Sequence, residues 1–83
     1  MSDEKKIEEM MRQIVTALVN QTDSVTVESV DQGGSFVINV HVAPDDIGKV
    51  IGRQGRVVKS LRTLARAAST YTGGRHVEVE IIE

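Results

Sequence analysis

The 83-residue sequence has no cysteine, no tryptophan and a single proline, and its only aromatic residues are Phe36 and Tyr71. The absence of cysteine excludes disulfides, thiolate metal sites and a thiol nucleophile. Two aromatics, both at positions that fit a core, cannot supply the stacking platform that an RNA-recognition motif or an OB fold lays under nucleobases. No apolar run approaches the ~20 residues that span a bilayer. The N-terminal MSDEKKIEEMM is charged and lacks the apolar core of a signal peptide, so a soluble, cytoplasmic protein is expected. The length fits one domain, residues 1–83, with a thin stability margin, because a chain of this size buries only about 60–65% of its unfolded surface.

Acid is also missing from one window. The net charge is −2. Residues 1–46 carry three basic and nine acidic side chains, whereas residues 47–77 carry Lys49, Arg53, Arg56, Lys59, Arg62, Arg66 and Arg75 and no acid at all. A solvated helix face usually alternates both signs. A window of one sign in an acidic chain points to an anion-binding surface.

The pattern of apolar residues predicts the elements. Ile7, Met10, Met11, Ile14, Val15 and Leu18 recur at helical spacing over residues 4–20, with Ser2 or Asp3 as a cap. Residues 24–30 (SVTVESV) read as a strand with an irregular end at Val30, which leaves the parity of Val25 and Val27. Asp31-Gln32-Gly33-Gly34 is a turn, and residues 35–43 form the returning strand of a hairpin, with Phe36, Ile38, Val40 and Val42 on one face. After Pro44, with Asp45 or Asp46 as a cap, residues 46–51 make a short helix. Residues 56–72 make a longer one, with an apolar stripe of Val57, Leu61, Leu64, Ala68 and Tyr71 and a basic stripe of Arg56, Lys59, Arg62 and Arg66. Gly73-Gly74 stops that helix, and residues 76–82 form a last strand with Val77, Val79 and Ile81 inward. The order α-β-β-α-α-β predicts an α+β fold, helices covering one face of a three-stranded sheet.

Between the last two helices lies Gly52-Arg53-Gln54-Gly55, within DIGKVIGRQGRVVK, residues 46–59. It is not a P-loop, since Gly48-Lys49 is followed by Val50. It is not a dinucleotide fingerprint, since the spacing is GxxxGxxG and the chain is too short for that fold. Nor is it a membrane helix contact, since charges flank it. A GxxG joining two helices suits the close approach of a sugar–phosphate backbone: no side chain obstructs it at Gly52 and Gly55, and N–H groups and the helix dipole favour an anion. Arg53 and Gln54 sit at the tip. Lys49, Arg56 and Lys59 add attraction, and Ile47, Val50 and Val58 are candidates for one wall of a groove for bases. Gly48 is expected to serve close packing or a bend.

IGKVIGRQGRVVKSL, residues 47–61, resembles the signature of the K homology (KH) nucleic-acid-binding domain, and the helix and strand that precede it resemble the bacterial type II KH fold. The whole chain is similar to the small bacterial single-KH proteins of the KhpA type. That resemblance implies a cytoplasmic protein that binds single-stranded RNA, with no enzymatic activity, no cofactor, no metal and no small-molecule substrate. It further implies an RNA chaperone or post-transcriptional regulator, acting as a homodimer or with a larger KhpB-type partner and linked to cell-envelope and cell-shape control. Carried onto this sequence, the loop is Gly52, Arg53, Gln54 and Gly55. Ile47, Val50, Ile51 and Val58 take the signature's apolar positions, Ile51 foremost among those that can be pure core. Arg62, Arg66 and Arg75 make a secondary basic stripe.

Two other classes are weaker on the residues themselves. An enzyme would need a nucleophile beside a base, and His41, His76, Ser60 and Ser69 form no such set. A protein-assembly module with a degenerate loop would show acid at the tip, where this chain has Arg-Gln.

Overall fold

A computed structural model describes residues 3–69 and 76–82. The elements are α1 (Asp3–Leu18), β1 (Thr26–Asp31), β2 (Ser35–His41), α2 (Ile47–Ile51), α3 (Arg56–Ser69) and β3 (His76–Ile82), with short 3-10 turns at Thr22–Ser24, Pro44–Asp46 and Arg53–Gly55. This is the predicted α-β-β-α-α-β order and the type II KH fold. Residues 70–72 at the end of the second long helix, the Gly73-Gly74 stop, Tyr71 and Arg75 lie outside the described residues, as does Ser2.

The sheet order is β1-β2-β3, with β1 and β2 antiparallel and β2 and β3 parallel. The hairpin turn closes where Gln32 N–H donates to the Ser35 carbonyl (2.9 Å) and Gly33 N–H to the Asp31 carboxylate (2.8 Å). The parallel pair is joined by α2, the glycine loop and α3, the helical crossover such a pair requires. α1 packs over β1 and α3 over β3, and the two helices meet above the central strand's face. Ile7, Met11 and Val15 from α1 bury against Phe36, Ile38 and Val40 from β2, with Leu61, Ala65, Val77 and Val79 closing the core. The alternation of buried and exposed residues along β3 is the period of two expected of a sheet with one covered face.

Several boundaries and faces differ from the sequence reading. The first helix stops at Leu18, whose side chain is exposed, and Val19 beyond it is buried instead. β1 starts at Thr26 because residues 22–24 turn, and it ends without irregularity: Val30 pairs with Val37 in a continuous ladder and projects from the outer face. Val37, also off the Phe36 stripe, is nevertheless buried, because neighbours on both strands flank a central-strand side chain. β2 ends at His41, and the chain then enters the Pro44–Asp46 turn. On α3 the buried stripe is Val58, Leu61 and Ala65, while Leu64 is exposed. The expected line is otherwise kept, with Leu61 in the core and Val57 and Ala68 packed against it, but Ala65 takes the buried place that Leu64 does not.

Candidate nucleic-acid interface

α2 ends where Gly52 N–H donates to the Gly48 carbonyl (2.9 Å), and the loop then folds on itself, Gly55 N–H donating to the Gly52 carbonyl (3.1 Å) and Arg56 N–H to that of Arg53. Positive φ occurs at three of the four loop residues: Gly52 (77°), Gln54 (57°) and Gly55 (75°). Gln54 is the only non-glycine residue with positive φ among the described residues. Such conformations concentrate at ligand clamps, where the surrounding structure holds them.

The three glycines of the motif have different physical reasons. At Gly52 the backbone (φ 77°, ψ 171°) lies in a region only glycine occupies, and an added Cβ would sit 2.4 Å from Val57 Cγ2. The space its missing side chain leaves is therefore filled by the protein itself. At Gly55 only the positive φ demands glycine, the nearest atom to a built Cβ being Val58 Cγ1 at 3.9 Å. Gly48 needs neither: its φ is ordinary and nothing lies within 4 Å of a Cβ built there. The expected packing or bend at Gly48 is thus absent. Gly48→Ala should fold and gain about 0.5–1 kcal/mol from helix propensity. Thermal unfolding checks this, and a lower Tm would show a contact that the open surroundings of Gly48 do not provide.

The tip gathers backbone donors and cationic side chains. The N–H groups of Arg53 and Gln54 have no partner among the described residues, whereas that of Arg56 at the helix start is used within the loop. Free donors therefore sit at the tip, and the first N–H of the long helix is not one of them. Arg53, Gln54, Arg56 and Lys59 are exposed together around it. Lys49 is different: its ammonium lies 3.1 Å from the carboxylate of buried Asp46, so part of its charge is already paired. Asp46 does not cap α2. Its carboxylate reaches across to accept the N–H groups of Gln21 (2.9 Å) and Asn20 (3.2 Å), fixing the chain after α1 against the start of the loop module.

Of the apolar wall candidates, Val50 is fully buried in the core cluster, whereas Val58 is largely buried outside that cluster, beside Gly55. Ile47 and Ile51 are half-buried, so Ile51 reaches the surface where Val50 does not.

The second half of the basic stripe lines a groove that the sequence did not reveal. Arg62 and Arg66 of α3 face Val77 to Glu80 of β3 across about 300 Å³. The strand there is the free edge of the sheet. A strand's side-chain pattern does not state which strand is at an edge, so no signal in the sequence could have located it.

No catalytic arrangement is present among the described residues. Ser60 Oγ donates to the Arg56 carbonyl (3.0 Å) and Ser69 Oγ to that of Arg66 (2.6 Å), both within their own helix. His41 and His76 each lie 3.6 Å from a glutamate, Glu28 and Glu78, on separate strands. No cluster of three or more metal-ligating side chains occurs among the described residues, and none of the described helices is long and apolar enough to cross a membrane.

The family model for the KH domain of KhpA and KhpB matches residues 8–81, from within α1 to the penultimate residue of β3. The chain belongs to the KhpA/KhpB family of KH domains. It is similar to the RNA-binding protein KhpA of Caldanaerobacter subterraneus subsp. tengcongensis, 45% identical over 74 residues that cover 89% of this chain and 97% of the relative. It is equally similar, at 45% over 74 residues covering 89% and 96%, to the RNA-binding protein KhpA of Halalkalibacterium halodurans. Among solved structures, Era from Aquifex aeolicus superposes with a TM-score of 0.63 at 22% identity, over 90% of this chain and 29% of Era. That likeness shows the fold alone. As a member of the KhpA/KhpB family of KH domains the chain is a binding domain and not an enzyme.

Proposed function

We propose that this chain binds single-stranded RNA by clamping its backbone across Gly52–Gly55 and laying the following bases along α3 toward the free edge of β3. The observation that carries the reading is the loop itself. Its positive-φ backbone, two free N–H groups and Arg53 face outward at the start of a helix that carries four cations and no acid. A KH loop of this kind holds about four nucleotides. Phosphate attraction supplies affinity and register without reading sequence. Kinship with proteins named as RNA-binding supports RNA as the ligand.

One loop gripping so few nucleotides binds weakly, and linking two such modules raises avidity through effective concentration. We therefore place the chain in a homodimer or in a complex with a larger KhpB-type protein, acting in the cytoplasm as an RNA chaperone or post-transcriptional regulator with effects on cell envelope and shape. Family membership supports this wider setting.

The test is binding of a labelled single-stranded RNA pool at two salt concentrations, with wild type set against Arg53→Asp combined with Gln54→Asp. Circular dichroism verifies that both are folded. Both glycines and the core are untouched, and two negative charges stand where phosphate should sit. Affinity should fall about tenfold or more, and the wild-type log–log salt slope should be roughly −2 to −3 for three to four phosphate contacts. Equal binding by the two proteins would make the loop a mere turn. No binding by either would favour an assembly role.

A further inference from the structure

The two layers of the fold carry opposite charge. The strands, residues 26–31, 35–41 and 76–82, hold Glu28, Asp31, Glu78 and Glu80 and no lysine or arginine. Every described lysine and arginine lies on α1, α2, the glycine loop or α3. The helices cover the inner face of the sheet, where Val27, Ile38 and Val79 are buried. Side chains alternate faces along a strand, so the register sets Glu28, Asn39 and Glu80 side by side across β1, β2 and β3 on the outer face. The neighbouring row is Val30, Val37 and Glu78.

The Glu28–Asn39–Glu80 row is rich in acceptors and short of donors. Asn39 Oδ1 is buried and accepts no hydrogen bond. Glu28 lies 3.6 Å from the His41 imidazole, with 58% of its side chain exposed. Glu80 is exposed, with no hydrogen-bond or ion-pair partner among the described residues. Arg62 and Arg66 border Glu78 and Glu80 at the β3 edge, yet form no ion pair with them among the described residues. An acceptor left without a donor costs stability, and a donor arriving from outside the chain removes that cost. Turning the Asn39 amide exchanges its oxygen and nitrogen, which presents the oxygen to such a donor.

We propose that the outer face of the sheet docks an arginine-bearing segment of a partner protein, a guanidinium seated over Asn39 between Glu28 and Glu80. Charge complementarity and reach select this occupant. Adjacent strands lie about 4.8 Å apart, so the two glutamates spring from backbones roughly 10 Å apart. A divalent metal ion needs its oxygens converged at about 2.0–2.6 Å, and no metal-holding cluster of three or more side chains occurs among the described residues. A guanidinium instead spreads five donors in a planar fork, and it leaves water more readily than an ammonium does. Val30, 42% exposed in the next row, gives the aliphatic stem of the arginine an apolar bed. The same carboxylates repel phosphate, so this face and the basic face of α3 attract ligands of opposite charge.

The probe is a short peptide in which arginine alternates with serine, beside versions with lysine or glutamine in place of arginine. Wild type is set against Glu28→Gln combined with Glu80→Gln. Both glutamates are exposed, so the core is untouched, and circular dichroism verifies folding. Amide chemical shifts of labelled protein locate the peptide. The arginine peptide should shift the amides of β1, β2 and β3 and bind wild type about fivefold or more tighter than the double variant. The lysine version should bind about twofold or more weaker, and the glutamine version not at all. Affinity for the RNA pool should stay within about twofold of wild type, since exposed charges farther apart than the Debye length of ~8 Å are largely screened. Equal peptide binding by the two proteins, or shifts confined to the acidic residues of α1, would overturn the proposal. A lysine peptide as tight as the arginine one would reduce the contact to general charge attraction and overturn it too. So would a wild-type dimer that dissociates in the double variant, because a second copy would then occupy the face. Docking here and RNA binding by the loop are independent, so either can fail alone.

Discussion

Gly52→Ala should unfold the domain or leave it with little stability, while Gly55→Ala should remain folded. Both glycines have positive φ, but their surroundings differ. At Gly52 an alanine meets two independent penalties. Its backbone lies at φ 77°, ψ 171°, where strain for a residue with a Cβ is about 1–3 kcal/mol. Its Cβ would also lie 2.4, 2.8 and 2.9 Å from Val57 Cγ2, Cβ and N. Two of those atoms are fixed by the backbone of α3, so rotating Val57 cannot relieve the overlap, and overpacking of this kind costs roughly 1–3 kcal/mol more. The sum is a large share of the roughly 4–12 kcal/mol expected for 83 residues.

At Gly55 the added methyl meets only Val58 Cγ1 at 3.9 Å, an ordinary contact, so about 1 kcal/mol of conformational strain is all that remains. Thermal unfolding of the two variants beside wild type decides the matter. A Gly52→Ala protein melting within a few degrees of wild type would show that the loop can move away from Val57. The distinction bears on function, because a loop glycine is easily credited to its ligand. Here the side of Gly52 that lacks a side chain is turned toward the protein's own helix, and a loss of RNA affinity in Gly52→Ala would report a displaced loop, not a blocked one.

The contrast between the two glycines was not legible in the sequence, where both were simply positions without a side chain. What was legible followed from periodicity. Ile7, Met11 and Val15 on α1, the Phe36–Val40 face of β2 and the alternation of β3 all read correctly, since helix and strand periods are local properties. The acid-free basic window was visible by counting. Misplaced features depended on partners distant in sequence. Leu64 outranks Ala65 in hydrophobicity, yet the core takes Ala65, because the spacing between α3 and the sheet decides which side chain fits. Val50 and Val58 share the signature's apolar character with Ile47, and only the packing of α2 and α3 separates core from surface. The groove beside Arg62 requires knowing that β3 is parallel to β2 and lies at an edge, which no residue pattern within 76–82 expresses.

Asp46 is the most telling of these long-range cases, and its removal is the second large effect expected. The sequence offers it as a helix cap beside Asp45, but its side chain is buried and accepts N–H groups from Gln21 and Asn20 and the ammonium of Lys49. Asp46→Ala would leave two backbone donors and a lysine without their acceptor, and Tm should fall by roughly 10 °C or more. Asp46→Asn keeps the shape but replaces one acceptor oxygen with a donor facing another donor, so it too should lose stability at neutral pH. The hydrogen bond from Gln21, and after it those from Asn20 and Lys49, hold the carboxyl below its usual pKa of 3.8, outweighing the opposing effect of burial. A carboxyl whose folded pKa is depressed adds stability that is fully present above the unfolded value and disappears as pH falls through the folded one. The gap in Tm between wild type and Asp46→Asn should therefore be constant from pH 7 down to about 5 and shrink below about 4. Melting curves at pH 7, 5, 4 and 3 measure it. A gap that stays constant to pH 3 would mean that the charge of Asp46 contributes nothing and that only its shape matters. A gap that closes ties the stability of the segment leading into the glycine loop to one ionised carboxylate. In that case RNA binding by Asp46→Asn at pH 7 should weaken through loss of loop position, although Arg53, Gln54 and the basic face of α3 are all intact.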